Sequence, residues 1–232
     1  MIITIDGCAA SGKSTVAREL ASHLGIAYLD TGAMYRAVAF AALNRGVNFK
    51  DPSALLDLAR NIELEVHGGA VETKVFVDGT DATKAIRTMQ VSEHTAAIAQ
   101  NPDIRTVLVE RQRRIGRQLK TFVTEGRDQG SVVFPDADAK VILEATLEKR
   151  VERRLREFLD RGVDVDQRVV ERDLRLRDQA DARHWAPLLV PGNAFVVDTT
   201  DLTIAEVVAR IASLVASLSG RPGGASGHVE RA

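Results

Sequence analysis

Residues Gly7-Cys8-Ala9-Ala10-Ser11-Gly12-Lys13-Ser14 fit the phosphate-loop pattern G-x-x-x-x-G-K-[ST] without a mismatch. The short apolar run Ile2-Ile3-Thr4-Ile5-Asp6 precedes it, and a helical stretch to Leu24, stopped by Gly25, follows. A strand that delivers the chain to a Gly-rich turn opening a helix is the context in which this pattern carries a mechanism. The backbone N–H groups of such a turn point inward, and the helix N-terminus adds partial positive charge. Lys13 is then placed to reach the β- and γ-phosphates of a bound nucleotide, and Ser14 to set its hydroxyl on Mg2+.

The rest of the chain is consistent with one sizeable α/β domain. At 232 residues it is long enough for that, and 45% hydrophobic with 27% charged residues is ordinary for a globular protein. A formal net charge of -1 gives no reason to expect nucleic acid or a membrane as partner. Cys8 is the one cysteine, so a disulfide framework is impossible and a reducing compartment is expected. Inside the loop it is expected to lend its backbone N–H rather than its thiol. The chain opens on a strand rather than on a basic region followed by an apolar core, and no apolar run approaches the roughly 18 residues of a membrane span. The cytoplasm is the expected compartment, and a monomer the expected state.

Elements can be placed by pattern. Strands are expected at Ile2–Asp6, Ala27–Asp30, Thr121–Thr124, Ala139–Glu144 and Ala194–Asp198. Helices are expected at Ser14–Leu24, Thr31–Leu43, from Pro52, at Gln90–Gln100, Pro102–Leu119, from Leu147, at Asp166–Ala180 and at Ile204–Leu218. In the helix from Leu147, the residues Leu147, Val151, Leu155, Phe158 and Leu159 are assigned to one apolar face, with Arg150, Arg153, Arg154 and Arg156 over much of the remainder. Glu63–His67 and Thr73–Asp78 flank Gly68-Gly69 as a hairpin that interrupts the alternation of strands and helices. Buried strands alternating with helices imply a parallel sheet covered on both faces. The segment from Ser219 lacks apolar content and is expected to be disordered.

Ligands bind outside the carboxyl ends of parallel strands, so charged groups there discriminate among phosphate-loop proteins. Asp30-Thr31 ends the second strand and fits a helix N-cap, with Arg36 one and a half turns in. Glu125-Gly126-Arg127-Asp128 ends the strand Thr121–Thr124. A guanidinium there can bind phosphate bidentately, and a carboxylate can orient Mg2+ or an attacking oxygen. The alternative is an internal Arg–Asp pair that holds a loop. Arg172, Arg175, Arg177, Asp178, Asp181 and Arg183 crowd a helix before Pro187. That spacing suits either a solvated face or a lid whose arginines arrive on the phosphates and exclude water.

Together these pieces resemble the bacterial cytidylate kinases of the longer type, with an inserted nucleoside-monophosphate-binding subdomain. The resemblance spans about residues 2–215 and rests on Ile3-Thr4-Ile5-Asp6-Gly7, Ser11-Gly12-Lys13, Leu29–Arg36, Ile86-Arg87-Thr88, Gly126-Arg127-Asp128, Val132–Ala137, Arg177-Asp178 and Ala186-Pro187-Leu188. It implies transfer of the γ-phosphoryl of ATP to CMP or dCMP with Mg2+. It also implies a P-loop core with a five-stranded parallel sheet in the order 2-3-1-4-5, covered by helices. The small β-rich insert is placed at about 61–99 and a helical lid at about 150–185, within one domain over 1–218. By position, Gly7, Cys8, Ala9, Ala10, Ser11, Gly12, Lys13, Ser14 and Thr15 are implied to hold ATP, with Ser14 on Mg2+. Thr31, Arg36, Arg105, Arg127, Asp128, Arg177 and Arg183 are implied to hold CMP. Lys13, Arg127, Asp128 and the lid residue Arg154 are implied to act in catalysis.

Several positions depart from the family pattern. Ser14 stands where a glycine is usual, Glu125 where an aspartate is common, Ala96 where a serine commonly meets the cytosine, and Gln129 where methionine is frequent. The interval from Arg177 to Arg183 is one residue short. Two other readings remain at this point. A kinase of another small acceptor, similar to shikimate kinase, shares the loop, but such chains lack a β-rich insert. A non-enzymatic nucleotide switch shares it too, but no Asn-Lys-x-Asp guanine-reading motif occurs in the chain.

Overall fold

The computed structural model describes residues 1–69, 72–160, 162–184 and 194–219. In chain order the elements are β1 (Ile2–Gly7), α1 (Lys13–Leu24), β2 (Ala27–Asp30), α2 (Thr31–Asn44), α3 (Pro52–Asn61), β3 (Leu64–His67), β4 (Lys74–Val77), β5 (Thr80–Asp81), α4 (Met89–Ala99), α5 (Pro102–Leu119), β6 (Phe122–Gly126), β7 (Ala139–Glu144), α6 (Leu147–Asp160), α7 (Gln167–His184), β8 (Phe195–Asp198) and α8 (Ile204–Ser219). Five strands form one sheet in the order β2-β6-β1-β7-β8, and β3-β4-β5 form a second. With the second sheet set aside, the first has the expected order 2-3-1-4-5. The pairings β1–β7 and β7–β8 are parallel, with Ile5 opposite Val141 and Leu143 opposite Val197.

The chain divides into two compact units, Met1–Leu24 with Val123–Ala232, and Gly25–Phe122. In the first, Ile3, Ile5, Val123, Val141 and Leu143 are fully or almost fully buried, so these strands read as near-continuous apolar runs. α1 packs on α8, and both bury apolar residues, Val16 and Leu20 in α1 and Val207 and Ile211 in α8. In the second unit, α2 lies against α4 and α3 against α5. The helices here start where cap chemistry dictates. The Asp51 carboxylate accepts from the N–H groups of Ser53 and Ala54, and Asn101 does the same for Asp103 and Ile104, each followed by proline at the first helical position.

The hairpin is present, with β3 antiparallel to β4 and Val66 opposite Val75. The hairpin loop also satisfies the backbone of β2. Tyr28 donates its N–H to the Gly69 carbonyl at 2.9 Å, and the Thr73 hydroxyl donates to the Tyr28 carbonyl while accepting from the Asp30 N–H, both at 2.9 Å. Backbone groups that would otherwise lie open on a strand edge are thereby paired.

Three sequence expectations are corrected. The strand expected at Thr121–Thr124 runs through Glu125 to Gly126, so Glu125 belongs to the strand rather than to the loop after it. Leu159 leaves the apolar face of α6 and is 62% exposed. Twelve residues beyond Leu147 it is rotated roughly 120° away, whereas Phe158 returns within about 20°, at 3.6 residues per turn. The helix expected to end at Ala180 continues to His184. Among the described residues no helix is long and apolar enough to cross a membrane. Of the tail expected to be disordered from Ser219, Ser219 ends α8; its remainder and the segment Ala186-Pro187-Leu188 lie outside the described residues.

Candidate active site

The phosphate loop joins β1 to α1, and Gly7 is where it needs a glycine. A Cβ there would collide with the Leu143 carbonyl of the neighbouring strand. Beyond that point three of the loop carbonyls accept from cations. Lys13, 7% exposed, donates its Nζ to the Cys8 carbonyl at 2.9 Å. Arg150 of α6 donates Nη1 to the Ala9 carbonyl at 3.4 Å, and Arg153 donates Nη1 to the Ser11 carbonyl at 3.2 Å. Arg153 also binds the Thr199 hydroxyl at 3.0 Å, just past β8. Three positive side chains thus bind loop carbonyls, in a loop type whose N–H groups form an anion-binding concavity.

Ser14 donates its hydroxyl to Glu125 Oε1 at 2.9 Å. The donor hydrogen is thus spent on the buried carboxylate, and the hydroxyl oxygen keeps lone pairs for a cation. Hydroxyl and carboxylate oxygens are hard donors of the kind Mg2+ takes, usually one or two from protein with the rest from phosphates and water.

Asp6, at the carboxyl end of β1, accepts from the N–H groups of Gln129 at 2.9 Å and Gly130 at 2.8 Å. Those groups open a π-helical turn, Gln129–Val133, that follows Arg127 and the buried Asp128 directly. Burial pushes the Asp6 carboxyl up to about 6 from 3.8, helped by the Asp128 charge and opposed by the two N–H groups and Lys13. The folded protein therefore holds this proton to higher pH than the unfolded chain does. The Asp6 contribution to stability is fully present below 3.8 and is lost as pH rises through about 6. Urea unfolding of wild type and Asp6→Asn across this range should show the wild-type advantage shrinking by roughly 2–3 kcal/mol, at 1.36 kcal/mol per pKa unit. A difference independent of pH would mean that folding leaves the Asp6 pKa unshifted.

A second charged cluster lies in the other unit. Asp30 caps α2, its Oδ1 accepting from the Ala33 N–H at 2.9 Å. Its Oδ2 accepts from Arg36 Nη2 at 2.8 Å and from Arg87 Nη2 at 3.0 Å. The N-cap expected of Asp30 is thus present, and the carboxylate does further work besides. Burial alone would raise its pKa; the two guanidiniums and the Ala33 N–H outweigh that and hold it below the usual carboxylate value. Thr31, the first residue of α2, is buried, and Arg105, in the first turns of α5, is half-buried.

The remaining residues singled out in the sequence separate. Arg154 pairs with Glu157 at 2.7 Å and lies 4.9 Å from the Phe158 ring centroid, so it is held along its own helix. Arg177 is exposed on α7, while Asp178 beside it takes a bidentate pair from Arg150 at 3.0 and 2.7 Å. Arg183 lies in the last turn of α7 and its side chain falls outside the described residues. Ala96 is exposed on α4. Sequence reasoning missed Arg150, Arg153 and Thr199 at the loop and Arg87 at Asp30. The available signal was that Arg150, Arg153 and Arg154 share a helical face; which of them meets the loop depends on the rotation of α6.

The sequence profile of the cytidylate kinase family matches residues 3–217. The cytidylate kinase of Caldanaerobacter subterraneus is 41% identical over 210 residues, covering 90% of this chain and 92% of that one. That of Shouchella clausii is 42% identical over 214 residues, covering 92% and 95%. Among solved structures, an uncharacterized protein from Eubacterium ventriosum superposes with a TM-score of 0.54 at 14% identity, covering 94% of this chain and 98% of that one, a likeness of fold. With a phosphate loop ringed by Lys13, Arg150 and Arg153, and with this match over nearly its whole length, the chain belongs to the cytidylate kinase family.

Proposed function

We propose that the protein transfers the γ-phosphoryl of ATP to CMP or dCMP, yielding ADP and CDP or dCDP, by in-line displacement. The observation that carries this reading is the family match over residues 3–217, joined to a loop whose carbonyls are engaged by cations. The loop residues Gly7–Thr15 hold the donor phosphates. Ser14, backed by Glu125, would hold Mg2+, which would supply positive charge to the donor phosphates. Lys13 supplies positive charge where it develops on the transferred group, and catalysis of this kind is positioning plus electrostatic stabilisation. In the unit Gly25–Phe122, Thr31, Arg36 and Arg105 serve the acceptor, with residues 61–99 as its dedicated insert. By resemblance, Arg127, Asp128, Arg177 and Arg183 are also assigned to CMP, and α6 with α7 acts as the lid that brings Arg154 to the donor.

Initial rates with Mg-ATP against CMP, dCMP, UMP, AMP and GMP test the reading. CMP and dCMP should be good acceptors. A site that hydrogen-bonds the 4-amino edge leaves buried polar groups unpaired with UMP, which should be poor. The purine nucleotides should be negligible. AMP or GMP phosphorylated as fast as CMP would remove the cytidylate assignment and leave a phosphate-loop kinase of another acceptor.

A further inference from the structure

Outside the phosphate loop, Asp30 has a heavily engaged carboxylate. It is 2% exposed, and both oxygens are engaged, Oδ1 by the Ala33 N–H and Oδ2 by Arg36 and Arg87 together. Its backbone is pinned as well, through the N–H donated to Thr73. The two guanidiniums come from separate elements, the second turn of α2 and the short 3-10 turn Ala85–Arg87. Their side chains remain 24% and 45% exposed, so the carboxylate lies beneath cations that still meet solvent. Gly32 leaves room for this arrangement, since a Cβ there would come within 3.3 Å of Arg36 Nη1 and of Asp30 Oδ1.

We propose that Asp30 is a positioning residue for the phosphate of the acceptor nucleotide, holding Arg36 and Arg87 as one pre-aimed pair of guanidiniums at the start of α2. The inference rests on the reading that this unit takes the acceptor. It adds Arg87 to the groups that meet the phosphate and gives Asp30 a task beyond its cap. Each guanidinium has five N–H donors and spends one on Asp30, so most of each fork remains for a ligand. Two cations against one carboxylate leave the cluster net positive and suited to a phosphate oxygen pair. Arginine side chains lose much rotamer freedom on ordering, and a fixed counter-charge takes that loss in the free protein rather than on binding.

Removing the Asp30 charge has two opposed effects. The cluster becomes more positive, which favours any anion. The guanidiniums also lose their common anchor, which weakens a ligand that needs both at once. Positioning predicts that the second effect prevails.

Calorimetric titration of CMP and of cytidine into wild type and Asp30→Asn distinguishes the cases, because cytidine lacks the phosphate and a general structural defect would weaken both ligands. Asparagine keeps an oxygen for the Ala33 cap. The variant should bind CMP about tenfold more weakly, with cytidine within about twofold of wild type. An unchanged or increased preference for CMP over cytidine would overturn the inference while leaving the acceptor reading intact. Wild type that fails to prefer CMP over cytidine would overturn both. Should Asp30→Asn fail to fold, Arg87→Lys provides the same measurement at a half-exposed position. It keeps the charge but replaces the fork by a point donor, and the CMP preference should fall about threefold or more. No fall would overturn the inference.

Discussion

Lys13→Ala should lower turnover with ATP and CMP by roughly 10²–10³-fold, the usual loss when one preorganised group facing developing charge is removed. Lys13 is 7% exposed and its ammonium is tied to the Cys8 carbonyl, so it is already held against the loop before a nucleotide arrives. A rate loss of that size needs a contact that is stronger in the transition state than in the ground state, so it should appear mainly in kcat. The fold should survive. β1 and α1 are secured by buried apolar residues such as Ile3, Ile5, Val16 and Leu20, none of which touches the ammonium's role. Steady-state kinetics, with circular dichroism as the control for folding, decide the matter. A variant that keeps more than about half the wild-type rate would mean that Lys13 does not face the transferred phosphoryl group.

The order of strands and helices was legible because apolar periodicity and cap residues each carry local information. Asp51-Pro52 and Asn101-Pro102 mark helix starts within a residue. The phosphate loop was legible for the same reason, since its chemistry is contiguous in the chain. What the sequence hid is long-range. Arg150 and Arg153 lie more than 140 residues from the loop carbonyls they bind, and their pattern on α6 is that of any basic helix face. Arg87 meets Asp30 across 57 residues, through a hairpin whose internal pairing is local but whose docking is not. Asp6 read as the last residue of a strand. Its two N–H partners lie in a π-helical turn, for which the sequence has no periodic signature.

Two departures from the family pattern also acquire a joint meaning. Ser14 and Glu125 hydrogen-bond to each other at 2.9 Å, so the added hydroxyl and the added methylene are complementary. Either one alone would read as a tolerated substitution. The pair shows that the longer carboxylate has the reach to accept from the new hydroxyl.

The other large effect concerns the phosphate loop's attachment to α6 and α7, for which Arg150 and Arg154 make a matched comparison. Arg150 is 6% exposed and makes four hydrogen bonds to three partners: a bidentate pair with Asp178, a bond from Nε to the Ala145 carbonyl at 3.2 Å, and the bond to Ala9 of the loop, a residue that belongs to a small apolar cluster. That cluster contains Ala9, Val151, Val170 and Leu174, so the same three segments that the guanidinium joins are also packed together. Arg150→Ala leaves Asp178 without its partner and two carbonyls without a donor. Breaking a buried pair on one side costs about 3–5 kcal/mol, and because Asp178 is 29% exposed and partly resolvates, about 2–4 kcal/mol is expected here. At roughly 2–4 °C per kcal/mol for a chain of this size, the midpoint of thermal unfolding should fall by about 4–16 °C. Arg154→Ala removes an i,i+3 pair whose Glu157 is 48% exposed, and its stability change should stay within about 0.5 kcal/mol. Differential scanning calorimetry of the two variants separates them. Equal shifts would mean that the Arg150–Asp178 pair is no more than another surface contact. A large shift for Arg150→Ala accompanied by weaker ATP binding would tie the fixed geometry of the loop to that buried guanidinium.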